Sequence, residues 1–330
     1  MAQNADTQSD AQSETWPALP YAAWKDTLET LQLWTQIVGK VRLALTPWLN
    51  HSWHVTLYVN ARGLTTGPIP LDGETLQRGP QRDLQIDFDF IDHVLWLRTS
   101  DGHFRQVVLR PVAVAEFYGE VMHALGALGV SVRINEMPNE IPGAVRFPDD
   151  RVHASYDGDA ANRHFRVLLA AHRVFAHFRT GFLGKVSPVH FFWGSFDLAV
   201  TRFSGKAAPA HPGGVPNLPD DVAREAYSHE VSSAGFWPGG GPIDYPAFYS
   251  YAYPAPEGFA AAKVKPAEAF FSKELGEFLL PYDAVRTAAK PEAVLMDFLQ
   301  STYAAAADLG KWDRAALECR LGETRKVRPV

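Results

Sequence analysis

The first half of the chain shows a helical apolar pattern followed by strand-like patterns. Apolar residues recur at helical spacing over about 27–45, which predicts an amphipathic helix that ends before Pro47. Apolar and polar residues alternate over 84–90, as in a half-buried strand. An Asp-Gly pair separates the apolar segments 94–98 and 104–109 and predicts a hairpin. A second helix and a short strand over 130–134 are predicted to follow.

The second half repeats this order of elements. A helical pattern over about 159–180 is followed by a long β-type run over 189–203. Shorter strands are predicted at 248–253 and 278–282, and Pro291 is suited to the first turn of a last helix. The pattern therefore predicts an α+β protein in which each half combines helices with a mostly antiparallel sheet.

The two halves also share a short sequence feature. Gly39-Lys40, near the end of the first long helix, and Gly184-Lys185, after the second, each precede an apolar strand. We therefore hypothesise two similar helix/antiparallel-sheet halves that arose by internal duplication and pack about a pseudo-twofold axis. A ligand cleft would then be expected between them, because pockets often form where two lobes meet.

Composition shifts along the chain predict its organisation. The polar start predicts a disordered tail, and a stretch rich in Pro, Asp and Gly predicts a connector between the halves. The predicted segments are a disordered tail over 1–15, an N-terminal half over 16–140, a connector over 141–158, a C-terminal half over 159–318 and a flexible tail over 319–330.

Charge and cysteine content narrow the class of protein. The 330 residues carry a net charge of −6, which disfavours nucleic-acid binding because that function needs clustered Lys and Arg. No apolar run reaches the roughly 18 residues needed to cross a bilayer, and the start lacks the pattern of a secretory signal. A single cysteine, Cys319, allows no intrachain disulfide. We expect a cytoplasmic protein without membrane or nucleic-acid partners, whose oligomeric state the sequence does not indicate.

The segment 187–205 is the main candidate for chemistry. It mixes polar and aromatic side chains in a region too apolar for an exposed loop, and buried polar groups need a partner or a function. We take His190 and Asp197 as candidate catalytic residues, with Trp193 and Arg202 as candidate substrate-binding residues. The alternative is that His190 and Asp197 are core residues satisfied by hydrogen bonds to the backbone.

A second candidate lies in the segment 227–230, where His229 and Glu230 are adjacent. An imidazole and a carboxylate can act as a general base with its orienting partner, so both residues are candidate catalytic residues. Together with His190 they would also offer two nitrogen ligands and one oxygen ligand to a divalent metal. The alternative is an exposed hydrophilic pair.

Aromatic residues that follow would complete the site. Tyr249 and Tyr251 alternate along a predicted strand, and Trp237 precedes a glycine-rich turn, so the three are candidate substrate-binding residues. Lys40 and Arg62 from the first half are candidates to hold a polar group of the substrate. A tyrosine stripe of this kind can equally be the edge of a core.

These residues support an enzyme as the leading hypothesis. The substrate would be a small, partly aromatic or apolar molecule with a polar group, bound in an aromatic-lined cleft between the halves. Acid–base chemistry and metal-assisted chemistry both stay open, and a bound divalent metal is the one cofactor the residues suggest. The alternatives are a non-catalytic protein that binds a small molecule or cofactor, and an interaction module whose aromatic residues are core.

Several strings of residues resemble a known family. They are Leu33-Trp-Thr-Gln-Ile-Val-Gly-Lys-Val-Arg-Leu, the segment 187–205, Ala226-Tyr-Ser-His-Glu-Val, Gly235-Phe-Trp-Pro-Gly-Gly and Phe248-Tyr-Ser-Tyr-Ala-Tyr-Pro. They look like the bacterial domain-of-unknown-function 5996 family, and the resemblance runs from about Trp16 to Glu318. It implies membership but no activity, so no catalytic residue is carried over from it.

Overall fold

The computed structural model describes residues 15–71 and 81–328. The first half contains two helices, α1 and α2, and six strands that form an antiparallel sheet, which we call the first sheet. The elements are α1 (Lys25–Leu45), β1 (Tyr58–Val59), β2 (Gly63–Thr65), β3 (Ile69–Leu71), β4 (Arg82–Asp89), β5 (Val94–Thr99), β6 (Phe104–Val108) and α2 (Val114–Ala127). Strand order is β1-β2-β4-β5-β6, and β3 also pairs with β4.

The second half contains five helices and a second antiparallel sheet, which we call the second sheet. Its elements are α3 (Gly158–Arg179), β7 (His190–Phe192), β8 (Asp197–Ala207), α4 (Asp220–Ala226), β9 (His229–Trp237), β10 (Ala247–Tyr253), β11 (Phe270–Ser272), β12 (Glu277–Pro281), α5 (Tyr282–Arg286), α6 (Pro291–Leu309) and α7 (Arg314–Leu317). Its strand order is β11-β12-β10-β9-β8-β7. The strand next to β10 is therefore β12, although β11 comes first in the sequence.

The two sheets meet at their edges. Leu57, just before β1, forms an antiparallel bridge with Phe191 in β7, and the two residues exchange backbone hydrogen bonds of 2.9 and 2.8 Å. Both side chains are almost completely buried, at 1% and 0% exposure. This bridge fixes the position of the first sheet relative to the second.

Helices cover one face of each sheet. Helix α1 packs against α2 through the stacked rings of Trp34 and Phe117, whose centroids are 4.4 Å apart. Helix α3 packs against the second sheet, where Phe175 meets Phe248 edge to face. Burial of these aromatic rings is the main stabilising contribution of the cores, because each removes a large apolar area from water.

The α+β class and the long helices are confirmed, but some predicted strands are wrong. The run over 189–203 is interrupted by a turn at residues 193–196, because Phe196 adopts a φ of 60° that a strand does not allow. The predicted strand over 130–134 is reduced to a single bridge residue at Val130. The apolar strand expected after Gly39-Lys40 is also shorter than predicted, since the chain forms a turn near Trp53 and only residues 58–59 are a strand.

Other predictions on organisation have mixed outcomes. The disordered tail predicted over 1–15 lies almost wholly outside the described residues. Part of the tail predicted over 319–330 contacts the body, since the Gly322 N–H donates to Thr180 Oγ1 at 2.7 Å. The segment boundaries and the internal duplication stay predictions. Among the described residues, none of the helices combines the length and apolar character needed to cross a membrane.

Candidate functional site

The two faces of the second sheet carry different residues. Directly paired residues of an antiparallel sheet share a face, so the register places Ala199, Gly235 and Tyr249 on one side, together with Asp197 two residues before Ala199. We call this the loop face, because loops rather than helices α3 and α6 cover it. The opposite helix face carries Arg202, Phe236 and Phe248 among others.

Asp197 begins β8 and lies at the centre of the loop face. The tight turn before it places Ser195 so that its hydroxyl donates to Asp197 Oδ1 at 2.5 Å. The hydroxyl of Tyr249 donates a short hydrogen bond to Asp197 Oδ2. Gly235 makes this contact sterically feasible, because a Cβ there would collide with the Tyr249 hydroxyl and with the Leu198 carbonyl oxygen.

Further acidic and phenolic groups surround Asp197. The hydroxyls of Tyr227 and Tyr251 are 2.8 Å apart, and Tyr227 lies within electrostatic reach of three carboxylates. Glu140 approaches from the first half and rests against Gly194 in the turn before Asp197. We define the carboxylate–tyrosine cluster as Asp197, Glu140, Glu277, Tyr227, Tyr249 and Tyr251.

Burial makes the carboxyl groups of the cluster weak acids. Burial, the larger cause, and the nearby Asp197 carboxylate together raise the pKa of Glu140 to about 7. Burial and Asp197 likewise raise the pKa of Glu277 to about 7. For Asp197 burial raises the pKa, although the Ser195 and Tyr249 hydrogen bonds oppose the rise. Within the described residues, no basic side chain contributes to these three shifts.

The cluster can both donate and accept protons near neutral pH. Carboxyl groups that repel each other titrate as a set, so some hold a proton while others are ionised. Burial also raises the pKa of Tyr249 well above its usual value, so its phenol remains a hydrogen-bond donor. Asp197 is 6% exposed, whereas Glu140, Glu277 and Tyr251 are only partly buried and can be reached from solvent.

The two candidate histidines lie in different places. His190 is a diagonal neighbour of Asp197 on the loop face, but it is 1% exposed and its Nδ1 lies 2.7 Å from the Pro188 carbonyl oxygen. Burial lowers the pKa of His190 to about 4, so it is neutral at pH 7. His190 pairs with Ala199 of β8, whereas His229 pairs with Ala207, eight residues further along the same strand. That separation is about 26 Å along β8.

The proposed metal site is therefore wrong. His190 and His229 lie at opposite ends of the second sheet, and Glu230 follows His229 in a strand, so its side chain points to the opposite face. Within residues 15–71 and 81–328, no group of three or more His, Cys, Asp and Glu side chains could hold a metal ion. Glu230 instead lines a cavity of about 180 Å³ near Trp312.

Arg202 does not reach the cluster either. It lies on the helix face and is 1% exposed, with its guanidinium above the rings of Phe178 and Tyr303. Its Nη2 donates to the Phe178 carbonyl oxygen at 2.5 Å. This environment makes Arg202 a structural residue of the helix-covered core, which corrects the prediction that it holds substrate.

Lys40 and Trp193 form part of the contact between the halves. Trp193 Nε1 donates to the Val55 carbonyl oxygen at 2.8 Å, and its ring packs against Gly39 so closely that a Cβ there would overlap it. The Lys40 ammonium lies 5.8 Å from the Trp193 ring centroid and donates to Asn139 Oδ1. Burial lowers the pKa of Lys40 to about 8. Both side chains are buried, so neither lines an open cleft.

The remaining candidates, Arg62 and Trp237, also lie in different parts of the structure. Arg62 forms ion pairs with Asp89 and Asp92 beside the first sheet, so its charge is neutralised within the first half. Trp237 follows Gly235 by two positions in β9, which places it on the loop face, and it is partly buried. The structure thus unites Asp197, Tyr249 and Tyr251 and separates most of the other predicted residues from them.

Sequence reasoning missed two carboxylates of the cluster. Glu277 belongs to β12, and its electrostatic interaction with Asp197 across the loop face depends on the register of three strand pairs. Glu140 follows a proline-containing loop and adopts a φ of 62°. An acidic residue in a connector rich in proline and glycine carries no sequence signal for burial. For Glu277, the alternation of residues in its strand could have indicated which face of the strand it occupies.

The geometry defines an α+β protein with a cluster of carboxyl and phenol groups on one sheet face. Comparison with protein families adds that residues 16–319 match the family of unknown function DUF5996. The chain belongs to that family, as the resemblance of its sequence strings predicts.

Other known proteins give partial similarity. The chain is 28% identical over 152 residues to cytokinin dehydrogenase 3 of Oryza sativa subsp. japonica. That alignment covers 46% of this chain and 26% of the rice protein, so the chain spans about a quarter of that relative. No solved structure matches the chain at a significant level.

Proposed function

We propose that this protein is an enzyme that performs general acid–base catalysis at the carboxylate–tyrosine cluster. One observation carries the proposal: Glu140 and Glu277, both with a pKa raised to about 7, interact electrostatically with the buried and hydrogen-bonded carboxyl group of Asp197. A group with a pKa near the working pH is best suited to exchange protons, because both of its protonation states are populated.

The cluster supplies the two partners that such catalysis needs. One carboxyl group keeps its proton and can act as an acid, while an ionised neighbour can act as a base. Tyr249 and Ser195 direct their hydroxyl groups at Asp197, so its orientation is fixed before a substrate arrives. Burial of functional groups beside like charges is a common property of active sites.

The surroundings of the cluster favour a small, partly aromatic substrate. Tyr249 and Tyr251 stack with centroids 6.1 Å apart, so an aromatic ring bound beside the partly buried Tyr251 would contact this pair. The polar group of the substrate would meet acidic side chains, since Lys40 and Arg62 are engaged elsewhere. The substrate is therefore better described as one with a basic or hydrogen-bond-donating group than as an anion.

A non-catalytic binding protein is the second candidate. It is favoured by the cavity of about 180 Å³, which is lined by Glu230, Tyr253 and Trp312 and lies on the other side of the second sheet from Asp197. A ligand held there would contact one carboxylate and aromatic rings without approaching the cluster.

The partial similarity to cytokinin dehydrogenase does not select a reaction. It covers only 26% of that protein, so the activity in its name has no independent support here. A dehydrogenation needs a proton acceptor as well as an oxidant, and the cluster could supply only the acceptor. We therefore base the proposal on the cluster alone.

We also propose that the halves arose by duplication. Lys40 of the first half lies above Trp193 of the second, at 5.8 Å, and Lys185 of the second half lies above Trp53 of the first, at 5.5 Å. These reciprocal contacts, together with the antiparallel bridge between Leu57 and Phe191, are the arrangement that a pseudo-twofold axis would produce.

A substrate panel with paired variants tests the enzyme proposal. The probes are p-nitrophenyl esters and glycosides, which join an aromatic ring to groups cleaved by acid–base chemistry. For any probe turned over, we expect Asp197→Asn and Tyr249→Phe to lower kcat/KM by about 10²–10⁴-fold. Tyr253→Phe is the matched control, because the Tyr253 hydroxyl donates to the Pro209 carbonyl oxygen and not to the cluster.

Two outcomes would oppose the proposal. Turnover that survives in Asp197→Asn would place the chemistry elsewhere. Saturable binding of a probe without turnover, weakened by a Glu230→Gln substitution but not by Asp197→Asn, would favour the binding protein and its cavity.

A further inference from the structure

A second cluster of titratable residues lies at the far end of the loop face. Lys185 Nζ is 2.5 Å from His51 Nε2, and His51 Nδ1 is 2.8 Å from the Ala226 carbonyl oxygen. A carbonyl oxygen only accepts, so Nδ1 carries the proton and the lone pair of Nε2 faces Lys185. Phe203, beside this pair, is six residues from Asp197 along β8, or about 20 Å, so the two clusters are separate.

The backbone around His51 is held in an unusual conformation. His51 and Ser52 are consecutive residues with φ of 59° and 57°, a region that costs energy for residues other than glycine. The His51 N–H donates to Glu225 Oε2 at 2.8 Å, which connects this turn to α4. His51 is 4% exposed, so the imidazole is fixed beneath the more exposed amine of Lys185.

Aromatic rings form the remaining walls. The Lys185 ammonium lies 5.5 Å from the Trp53 ring centroid and 4.8 Å from that of Phe203. Burial lowers the pKa of Lys185, against the opposing effect of Glu225, and burial also lowers the pKa of His51. A partly desolvated amine beside an oriented base is the usual arrangement of an activated nucleophile.

We propose that Lys185 is a reactive amine, with His51 as its base, that forms an imine with the carbonyl group of a small aldehyde or ketone. The amine nitrogen attacks the carbonyl carbon, and the electron pair of the C=O bond moves to oxygen. His51 Nε2 moves one proton of the attacking nitrogen to the alkoxide oxygen, which gives the carbinolamine, and then moves the second nitrogen proton to the hydroxyl group. The hydroxyl leaves as water, and the C=N bond forms without any oxidant or reductant.

The titratable groups near Lys185 determine how its reactivity should depend on pH. The titratable groups facing Lys185 are His51 in the turn, Glu225 in α4 and His229 in β9, whose ring centroid is 5.9 Å from that of His51. Protonation of His51 would remove the base of this reaction. The reaction should therefore slow as the pH falls below the range in which His51 is neutral.

Reductive trapping tests this proposal. The full-length protein is treated at pH 7 with propionaldehyde and sodium cyanoborohydride, and modification of each lysine is followed by peptide mass spectrometry. We expect Lys185 to react at least tenfold faster than Lys206, a half-exposed lysine on β8 that serves as the internal control. Equal rates for Lys185 and Lys206 would overturn the proposal.

A variant separates activation by His51 from simple accessibility. In His51→Asn, whose new residue tolerates positive φ, the rate at Lys185 should fall to that of Lys206 while Lys206 is unchanged. An undiminished rate at Lys185 would refute the role of His51. Should this variant fail to fold, the pH dependence of labelling in the wild type decides the matter. The proposal would be refuted if the pH at which labelling reaches half its maximal rate were the same for Lys185 as for Lys206, or higher.

Discussion

The two faces of the second sheet bury charge in contrasting ways. On the helix face, Arg202 lies among aromatic rings and donates to a single carbonyl oxygen, and its Nε has no hydrogen-bond partner in the described part of the chain. On the loop face, Asp197 receives two hydroxyl donors and adjoins carboxyl groups that solvent can reach. Both residues belong to β8, five positions apart.

The difference shows that burial alone does not mark a functional residue. Arg202 is enclosed so completely that no substrate could approach it, and its rings and carbonyl partner belong to the core. Asp197 is also buried, but it interacts electrostatically with Glu140 and Glu277, which are only partly buried. A buried charge is a better candidate for chemistry when neighbouring titratable groups link it to the surface.

The largest expected effect is on stability, at Arg202. We expect Arg202→Ala to lower the free energy of unfolding by about 3 kcal/mol, because truncation leaves a cavity between aromatic rings. Arg202→Met should cost less than about 1.5 kcal/mol, since it retains most of the packing and removes a poorly paired buried charge. Denaturant unfolding of both variants measures this. An equal loss in both would show that the charge itself is needed, and the contrast between the faces would weaken.

A smaller effect is expected at Gly235 on the loop face. Gly235→Ala should destabilise the protein by about 1–3 kcal/mol, because the new methyl group would collide with Tyr249 and the Leu198 carbonyl oxygen. The matched control is Gly119→Ala in the exposed part of α2, where a Cβ meets nothing within 4 Å. It should stabilise the protein by about 0.5–1 kcal/mol. Thermal unfolding measures both variants. A change in stability of the same sign for Gly235→Ala and Gly119→Ala would contradict this account.

Much of the fold could be predicted from hydrophobic periodicity. The helix predicted over 27–45 is observed at Lys25–Leu45, and the strand predicted over 84–90 is observed at Arg82–Asp89. Asp87 and Asp89, which we would assign to a solvated face, are in fact buried beside Arg98 and Arg62. Periodicity reports which residues alternate, but ion pairing decides whether the polar face is also covered.

The candidate site could be predicted only in part, for reasons of register. Alternation indicated that Tyr249 and Tyr251 share a face, but only strand pairing places them beside Asp197. His229 and Glu230 could converge only on a loop, and the strand that forms there separates them. Glu140 could not be found at all, because its position depends on a long-range contact with the turn at Gly194.

Protonation of Glu277 and Glu140 also makes stability depend on pH. Because the folded-state pKa of Glu277 is about 7, above the usual value of 4.5, the folded protein binds this proton more tightly than the unfolded chain does. This contribution is fully present below pH 4.5 and is lost as the pH rises through 7. The stability of Glu277→Gln relative to the wild type should therefore increase between pH 4.5 and 7, and Glu140→Gln should behave in the same way.

The most direct test is an NMR titration of the glutamate side chains labelled with ¹³C at the carboxyl carbon. Resonances of Glu140 and Glu277, assigned with the two Gln variants, should titrate with midpoints near pH 7. Asp197→Asn should lower both midpoints without restoring them fully, since burial is the larger cause of each shift. Midpoints near 4.5 for both residues in the wild type would show that the cluster exchanges no protons near neutral pH, and would contradict the proposed acid–base site.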